Sequence, residues 1–378
     1  MMRVLNVLFE DRYGGPQKMV IDVGSRLLSQ EVKTILLLPT GEGNTSLIAK
    51  ANGLHCVRTS FNRTPKPRDI YKVLRWIMLL PKDVYLISKV IKDKRIDIVH
   101  VNGAFFLAPA LAAKISRRPI VWTLHETIMP SNLARVFGIF VRWMANEVVV
   151  VAEAVARHYK VDDHSHSVVY APVDIERITP KNPIDEQIPR HVGLIANWNP
   201  IKGLEVFVEA ASIVKSQVND GVEFDIAGSR LESHANYAGK IEQLIYDRKI
   251  DHAMHCHGFV EDIPQFLHTL DILVLASWSE ACPMAVLEAM AAGIPVVATD
   301  VGGIRELLKP DSNNRAGYVV SPGDSAQMAD RVLDLLNNSK LRHEMGNNGR
   351  IAAEQWFSLE ACTTSHLKMY RHLMVEHK

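Results

Sequence analysis

Cysteine is scarce in this chain: Cys56, Cys256, Cys282 and Cys362 are all it has, far apart and with no C-x-x-C among them. That spacing suggests neither a disulfide framework nor a cysteine-built zinc site, and it suits a reducing cytoplasm. An excess of one charge is missing too. Lys+Arg 43 against Asp+Glu 42 leaves +1, too balanced for a protein whose whole surface binds nucleic acid. Long apolar runs are also absent. The longest nearly uncharged stretch, Ala281–Thr299, contains Glu288, Gly293 and Pro295, which break a membrane helix chemically and geometrically. At the N-terminus, MMRVLNVLFEDRYGG has too short an apolar stretch for a signal-peptide core and meets acidic residues at once, so it reads as a first strand. A dinucleotide fingerprint is not supported either. G-E-G-N-T-S (Gly41–Ser46) lacks the third glycine and the first strand runs into Y-G-G-P, which disfavours an NAD-dependent dehydrogenase.

What is present is a chain of 378 residues, 47% hydrophobic and 22% charged, long enough for two or three domains. Short β-branched runs alternate with longer helix-patterned stretches, the rhythm of a parallel sheet covered on both faces. In the first half the expected strands are Val4–Phe9, Val32–Leu38, Ile96–Val101, Ile120–Leu124 and Glu147–Val151. Helices are expected at Pro16–Ser29, Ile70–Leu80, Val84–Lys92, Phe105–Ile115 and Asn132–Ala145. The pattern fails over Ala171–Arg190, where four prolines and many charges suit an interdomain linker. It then restarts with strands His191–Ala196, Glu223–Ala227, Met254–His257, Ile272–Leu275 and Pro295–Ala298. Helices Gly203–Ser216, Tyr237–Asp247 and Met284–Ala292 are interleaved, and the tail from Ser325 is helical, ending in Glu360–Val375. The fold class is therefore α/β, with two doubly wound domains (1–175 and 191–358) and a final helix over 359–378. Tandem sheets of this kind should leave a cleft at the carboxyl ends of their strands.

The densest chemical signal is S-W-S-E-A-C-P-M-A-V-L-E-A-M-A-A-G, where seven residues separate Glu280 from Glu288. If Pro283 opens the helix, Glu280 precedes it and Glu288 lies in its early turns. The amides of Met284 and Ala285 then form a positive helix end suited to an anion, and Gly293 supplies the left-handed stop. The plain alternative is a helix-start charge and a solvated glutamate. The H-A-M-H-C-H run (His252–His257) looks metal-like. However, strand alternation puts His255 and His257 on one face and Cys256 on the other, so no metal is expected there.

That glutamate pair, followed by D-V-G-G-I-R-E-L-L (Asp300–Leu308), resembles the signature of the retaining glycosyltransferases of family 4, the glycosyl transferases group 1, which have the GT-B fold. A-N-W-N-P-I-K-G (Ala196–Gly203), D-I-A-G (Asp225–Gly228), H-G-F-V-E-D-I (His257–Ile263) and Y-G-G-P (Tyr13–Pro16) match as well. The likeness is dense over 191–320. In the first half it rests on Gly14, Gly15, Thr123–Glu126 and Pro172–Asp174.

The resemblance implies a cytoplasmic enzyme that moves a sugar from a UDP- or GDP-linked nucleotide-sugar donor to a glycan or lipid-linked acceptor, without a cofactor. A role in bacterial polysaccharide or lipopolysaccharide synthesis is implied with it. Glu288 would then bind the ribose hydroxyls, Glu280 the sugar near the reacting carbon, and Lys202 the diphosphate. Gly14 and Gly15 would let phosphates or acceptor approach the backbone. His125, at the end of Ile120–Leu124, would stand beside the donor sugar as a catalytic group. One departure is Asn197, where the family pattern has an arginine. Arg230 either supplies the missing charge or is a solvated loop residue. His100 is expected to pack against Trp122 or to play a supporting part.

Two rivals are an epimerase or hydrolase of the same fold, which needs no acceptor, and a non-catalytic nucleotide-sugar-binding subunit, for which Asn197 is the argument. Residues 63–95 carry Arg63, Lys66, Arg68, Lys72, Arg75, Lys82, Lys89, Lys92, Lys94 and Arg95 against Asp69, Asp83 and Asp93, net +7. With Arg75–Leu80 between them, these charges raise the hypothesis of peripheral contact with an anionic membrane. A helical pair packing Trp76 and Leu79 on the sheet is the alternative.

Overall fold

Runs such as I-V-W-T-L and I-L-V-L are apolar on both faces, which only a strand covered on both sides can use. In the computed structural model, which describes residues 1–377 apart from 42, 63–68, 105, 128, 163–165, 182–189, 219–220 and 310, these runs are the central strands of two sheets. The first sheet contains β1 (Met2–Val7), β2 (Val32–Pro39), β3 (His55–Thr59), β4 (Ile98–Asn102), β5 (Ile120–Leu124), β6 (Glu147–Val150) and β7 (Ser167–Val168), in the order 3-2-1-4-5-6-7. The second contains β8 (Arg190–Ile195), β9 (Val222–Ala227), β10 (Met254–Gly258), β11 (Ile272–Leu275), β12 (Val296–Thr299) and β13 (Gly317–Val320), in the order 10-9-8-11-12-13. The described pairings are parallel in both sheets. Each order reverses beside its first strand, β1/β4 in one sheet and β8/β11 in the other, and this reversal is where doubly wound sheets take ligands.

The chain divides into two compact units, Met1–Pro172 with Leu359–Lys378, and Val173–Ser358. In the first, Val4, Ile98, Val121 and Val149 of the sheet pack with Met19, Val23 and Leu27 of helix Gly15–Leu28. Cys362, Met369, Tyr370 and Leu373 of helix Leu359–Glu376 join the same core. In the second, Val192, Phe224, Ile272 and Val274 pack with Phe207 and Val214 of helix Leu204–Gln217 and Met328 and Val332 of helix Ser325–Leu336. Val173 and Ser358, which border the two crossings of the chain between units, are paired in a parallel bridge, and the Val173 amide donates to the Phe357 carbonyl at 2.7 Å.

Several expectations are corrected. Ile70–Leu80 and Val84–Lys92 are one helix, Ile70–Asp93, with Pro81 inside it. The donor that Pro81 lacks would have met Ile77, whose neighbourhood is open to solvent, so the interruption is tolerated. The stretch expected as a linker is fastened to the second unit as far as Lys181. Arg350 Nη1 donates to the carbonyls of Ile178 and Ala291, both at 2.7 Å, and His268 donates to Thr179 at 3.0 Å. Lys181 Nζ meets the Leu270 carbonyl at 2.6 Å and Asp271 at 3.0 Å. The rest of that stretch, 182–189, lies outside the described residues, as do Arg63, Lys66, Arg68 and Phe105. Strands β3, β7 and β13 and the short helices Thr45–Ala51, Glu153–Tyr159, Ile263–Thr269 and Ile304–Leu308 were not expected.

Candidate active site

In the second unit the chain leaves β8 through A-N-W-N-P-I-K-G. The Asn199 side chain accepts from the Ile201 amide at 3.0 Å, starting a single tight turn, Pro200–Lys202. Gly203 closes that turn at φ 63°, and a Cβ there would stand 2.1 Å from the Ala276 carbonyl oxygen. Glycine thus lets the turn lie directly on the end of β11. The result is an ion pair between residues 78 apart in sequence, with Lys202 Nζ 2.7 Å from Glu280 Oε1. Ser277 Oγ donates to the same oxygen at 2.8 Å, and the Ser277 carbonyl accepts from buried Thr299 at 2.6 Å. Glu280 keeps only 11% of its side chain exposed, Lys202 31%.

The D-V-G-G turn after β12 clasps this loop from the other side. Gly302 has φ 55° and its missing Cβ would fall 1.8 Å from the Glu280 carbonyl oxygen, while the Gly303 amide donates to the Ala281 carbonyl at 3.0 Å. Pro283 is the N-cap of helix Met284–Ala291. No side chain caps that helix, and no acid lies in its first turn. Its opening amides, Met284 and Ala285, therefore present partial positive charge. Glu288 is half-buried on the same helix, and Gly293 ends it at φ 71°.

Asn197 and Arg230 each have partners within the second unit. The Asn197 side-chain Oδ1 accepts from the Ser229 amide at 3.0 Å, bracing the loop after β9. Arg230 stacks 4.6 Å over the Trp198 ring and pairs with Glu242 at 2.8 Å. Two histidines of the H-A-M-H-C-H run, His255 and His257, are each taken by an acid of the neighbouring strand. His255 meets Glu223 at 2.9 Å, and His257 shares buried Asp225 with His191, at 2.7 and 2.8 Å. These contacts raise the His191 pKa, chiefly through its bond to Asp225. Among the described residues no three His, Cys, Asp or Glu are grouped to hold a metal ion.

In the first unit, Gly14 lies in the loop that follows β1, Asn102 ends β4 and His125 follows β5. Gly14 is the N-cap of helix Gly15–Leu28, without a side-chain cap. A Cβ on Gly15 would meet nothing, and one on Gly14 only the Gln17 side chain at 3.4 Å, so the protein's own packing does not require glycine at either place. His125 Nε2 lies 3.4 Å from Asn102 Oδ1, and burial, with His366 adding to it, pulls the imidazole pKa down to about 4. His100 does not pair with Trp122: its nitrogens meet Tyr370 and Thr123, each at 2.6 Å, while Trp122 donates to the Gly103 carbonyl.

Sequence reasoning missed three groups. Ser277 stands three residues before Glu280, a spacing that could have drawn notice. Asn102, two residues after His100 on a strand end, could have too. The third is a clamp: Arg58 pairs with buried Asp11 and reaches Ser46 Oγ at 2.6 Å, while Asp11 accepts from the Ser46 amide at 3.0 Å. It ties the Gly41–Ser46 loop to the loop before Gly14, and no local pattern marks it.

Known proteins resemble this chain along most of its length. The family model described as Glycosyl transferases group 1 matches residues 174–352, and that of Glycosyltransferase Family 4 matches residues 13–177. N-acetyl-alpha-D-glucosaminyl L-malate synthase of Bacillus anthracis is 27% identical over 79% of this chain and 81% of its own. D-inositol 3-phosphate glycosyltransferase of Paenarthrobacter aurescens is 27% identical over 67% of each. Among solved structures, a glycosyltransferase of Rickettsia africae aligns with a TM-score of 0.83 at 21% identity, covering 99% of this chain and 98% of that one. Anabaena HepE in complex with UDP and glucose aligns at 0.78 and 20% identity, covering 98% and 100%.

Proposed function

The chain belongs to glycosyltransferase family 4, is a glycosyltransferase of the GT-B fold, and on that basis we propose that it moves a sugar from a nucleotide-diphosphate sugar to a hydroxyl acceptor with retention of configuration. The observation that carries this reading is the Lys202–Glu280 pair beside the uncapped helix that bears Glu288. A cation and open amides next to two carboxylates offer one surface to a diphosphate and another to sugar and ribose hydroxyls. In this reading Lys202, with the amides of Met284 and Ala285, meets the charge that grows on the leaving diphosphate, so the transfer needs no metal cofactor. Glu288 accepts from the ribose, Glu280 from the sugar, and His125 contacts a sugar hydroxyl. The UDP in the HepE structure supports a UDP-linked donor. Asn197 leaves the diphosphate with one cation fewer than the family pattern, and Lys202 carries the larger share. By family resemblance, the setting is bacterial polysaccharide or lipopolysaccharide synthesis.

The direct test is incubation with UDP- and GDP-linked labelled sugars, with and without hydroxyl acceptors. Label passing to an acceptor, with release of the nucleoside diphosphate, is the expected result. Hydrolysis or epimerisation that ignores the acceptor would instead establish the rival enzyme, and donor binding without turnover a binding subunit.

The open glycine pair makes a separable prediction. Gly15→Ala meets no atom of the protein and exchanges glycine for a better helix former, so thermal unfolding should be unchanged or slightly raised. Turnover should fall about tenfold or more if phosphate or acceptor approaches this backbone. Equal kcat/KM in the two proteins would remove the glycine pair from the site.

Peripheral membrane contact belongs to the same proposal. Among the described residues no helix is long and apolar enough to cross a membrane. On helix Ile70–Asp93, however, Tyr71, Leu74, Ile77, Met78 and Tyr85 are exposed, while Trp76 and Leu79 are partly buried. Exposed apolar groups beside Lys82, Lys89, Lys92, Lys94 and Arg95 suit an anionic lipid surface, each nearby cation contributing about 1 kcal/mol. The protein should co-sediment with anionic vesicles at low salt. Changing Lys89, Lys92, Lys94 and Arg95 to Ser should release it, and equal recovery on neutral and anionic vesicles would refute the contact.

A further inference from the structure

Behind His125 lies a row of buried polar side chains with no part in the reading above: Asn6 on β1, His100 and Asn102 on β4, Thr123 on β5 and Tyr370 on helix Leu359–Glu376, none more than 5% exposed. The bonds nearest His125 have their directions set by the two amides. Asn102 Nδ2 faces three oxygens, Asn6 Oδ1 at 3.1 Å and the carbonyls of Val7 and His100 at 3.4 Å. The amide turned the other way would set oxygen against oxygen, so Oδ1 is the atom facing His125 Nε2. An amide oxygen only accepts, and Nε2 of His125 must therefore carry the proton. Asn6, already accepting through Oδ1, has its NH₂ to offer the Tyr370 hydroxyl, with which its side chain bonds. That hydroxyl, accepting from Asn6, keeps its own proton for His100 Nδ1 at 2.6 Å, and with that proton so placed His100 Nε2 is the donor to Thr123 Oγ1, also at 2.6 Å. From His125 through Asn102, Asn6, Tyr370 and His100 to Thr123, every proton points the same way, an arrangement in which each bond polarises the next.

We propose that Asn102, Asn6, Tyr370 and His100 are positioning residues that hold His125 as the Nε2-protonated tautomer, leaving Nδ1 as the bare nitrogen that accepts from a sugar hydroxyl. The inference rests on the reading that His125 contacts the transferred sugar. A ring free to exchange tautomers would for part of the time present N–H where the hydroxyl needs an acceptor. The final helix thus reaches the site through Tyr370 without touching substrate.

The experiment uses the full chain with ¹⁵N-labelled histidine, the His125 signal being identified by its loss in His125→Ala. In the unaltered protein, Nε2 should be protonated and Nδ1 bare. Asn102→Leu, which removes the acceptor, and Tyr370→Phe, which breaks the row in its middle, should shift His125 toward the other tautomer. In both, kcat should fall on the order of tenfold with donor KM held within about twofold. Protonation at Nδ1 in the unaltered protein overturns the inference without recourse to any variant, as does an unmoved tautomer with unmoved kcat in both variants. Should the tautomer move as stated while His125→Ala turns over normally, the row stands as assigned and the role of His125 in transfer falls.

Discussion

Lys202→Ala should lose on the order of 10²-fold or more in kcat and should bind the nucleotide-sugar donor more weakly. The lysine's charge is aimed at the diphosphate both before and during departure, so its loss affects ground state and transition state together. The replacement also strands Glu280, whose carboxylate is 11% exposed and has Lys202 as its cationic partner at 2.7 Å, next to the sugar it is proposed to contact. An arginine would be an imperfect substitute, because the tight turn at Pro200–Lys202 delivers a compact ammonium to one carboxylate oxygen. Steady-state kinetics with saturating acceptor decide the matter: turnover within a few fold of the unaltered enzyme would take Lys202 out of the mechanism.

Gly302→Ala should be nearly as damaging to turnover, although residue 302 need not touch substrate. Its φ of 55° costs an alanine about 1 kcal/mol, and the new Cβ would sit 1.8 Å from the Glu280 carbonyl oxygen. Backbone must move, and the nearest backbone to move is that of Glu280. Thermal unfolding should drop together with kcat. Gly239→Ala provides the contrast, since that helical glycine meets nothing within 4 Å and its replacement should stabilise slightly. A Gly302→Ala enzyme as stable and active as the Gly239→Ala enzyme would show that the turn yields freely.

The elements that stand out in the amino-acid sequence are those whose chemistry is local. Strands β5, β11 and β12 announce themselves because both faces are buried and every residue is apolar or small enough to comply. β3, H-C-V-R-T, sits at the sheet edge with His55 and Arg58 turned to solvent, and its composition says nothing about strand. Pro81 misled for the opposite reason: it is a local stop signal overridden by an amphipathic pattern that continues through it. In the site, Glu280 and Glu288 are visible as a spacing around a helix start. The partner of Glu280 is 78 residues away and that of His100 is 270 away. Such pairs come from strand order, which no window of sequence contains. Resemblance to a family could supply the first of them, since Lys202 lies in a shared motif, but not the second or the Asp11–Arg58 clamp.

The passage of the chain between units also has a temporal meaning. Val173–Ser358 is one uninterrupted stretch, whereas the other unit is made of Met1–Pro172 and Leu359–Lys378. During synthesis from the N-terminus, the stretch that emerges first is thus the last to become whole. Met19, Val23 and Leu27 wait for Met369, Tyr370 and Leu373, while the later-made unit already has all its strands. For that interval the nascent protein has a finished Val173–Ser358 unit and a half-covered sheet in the other. The buried row has Tyr370 in its middle, so the arrangement proposed to hold the His125 proton is completed only when the final helix docks.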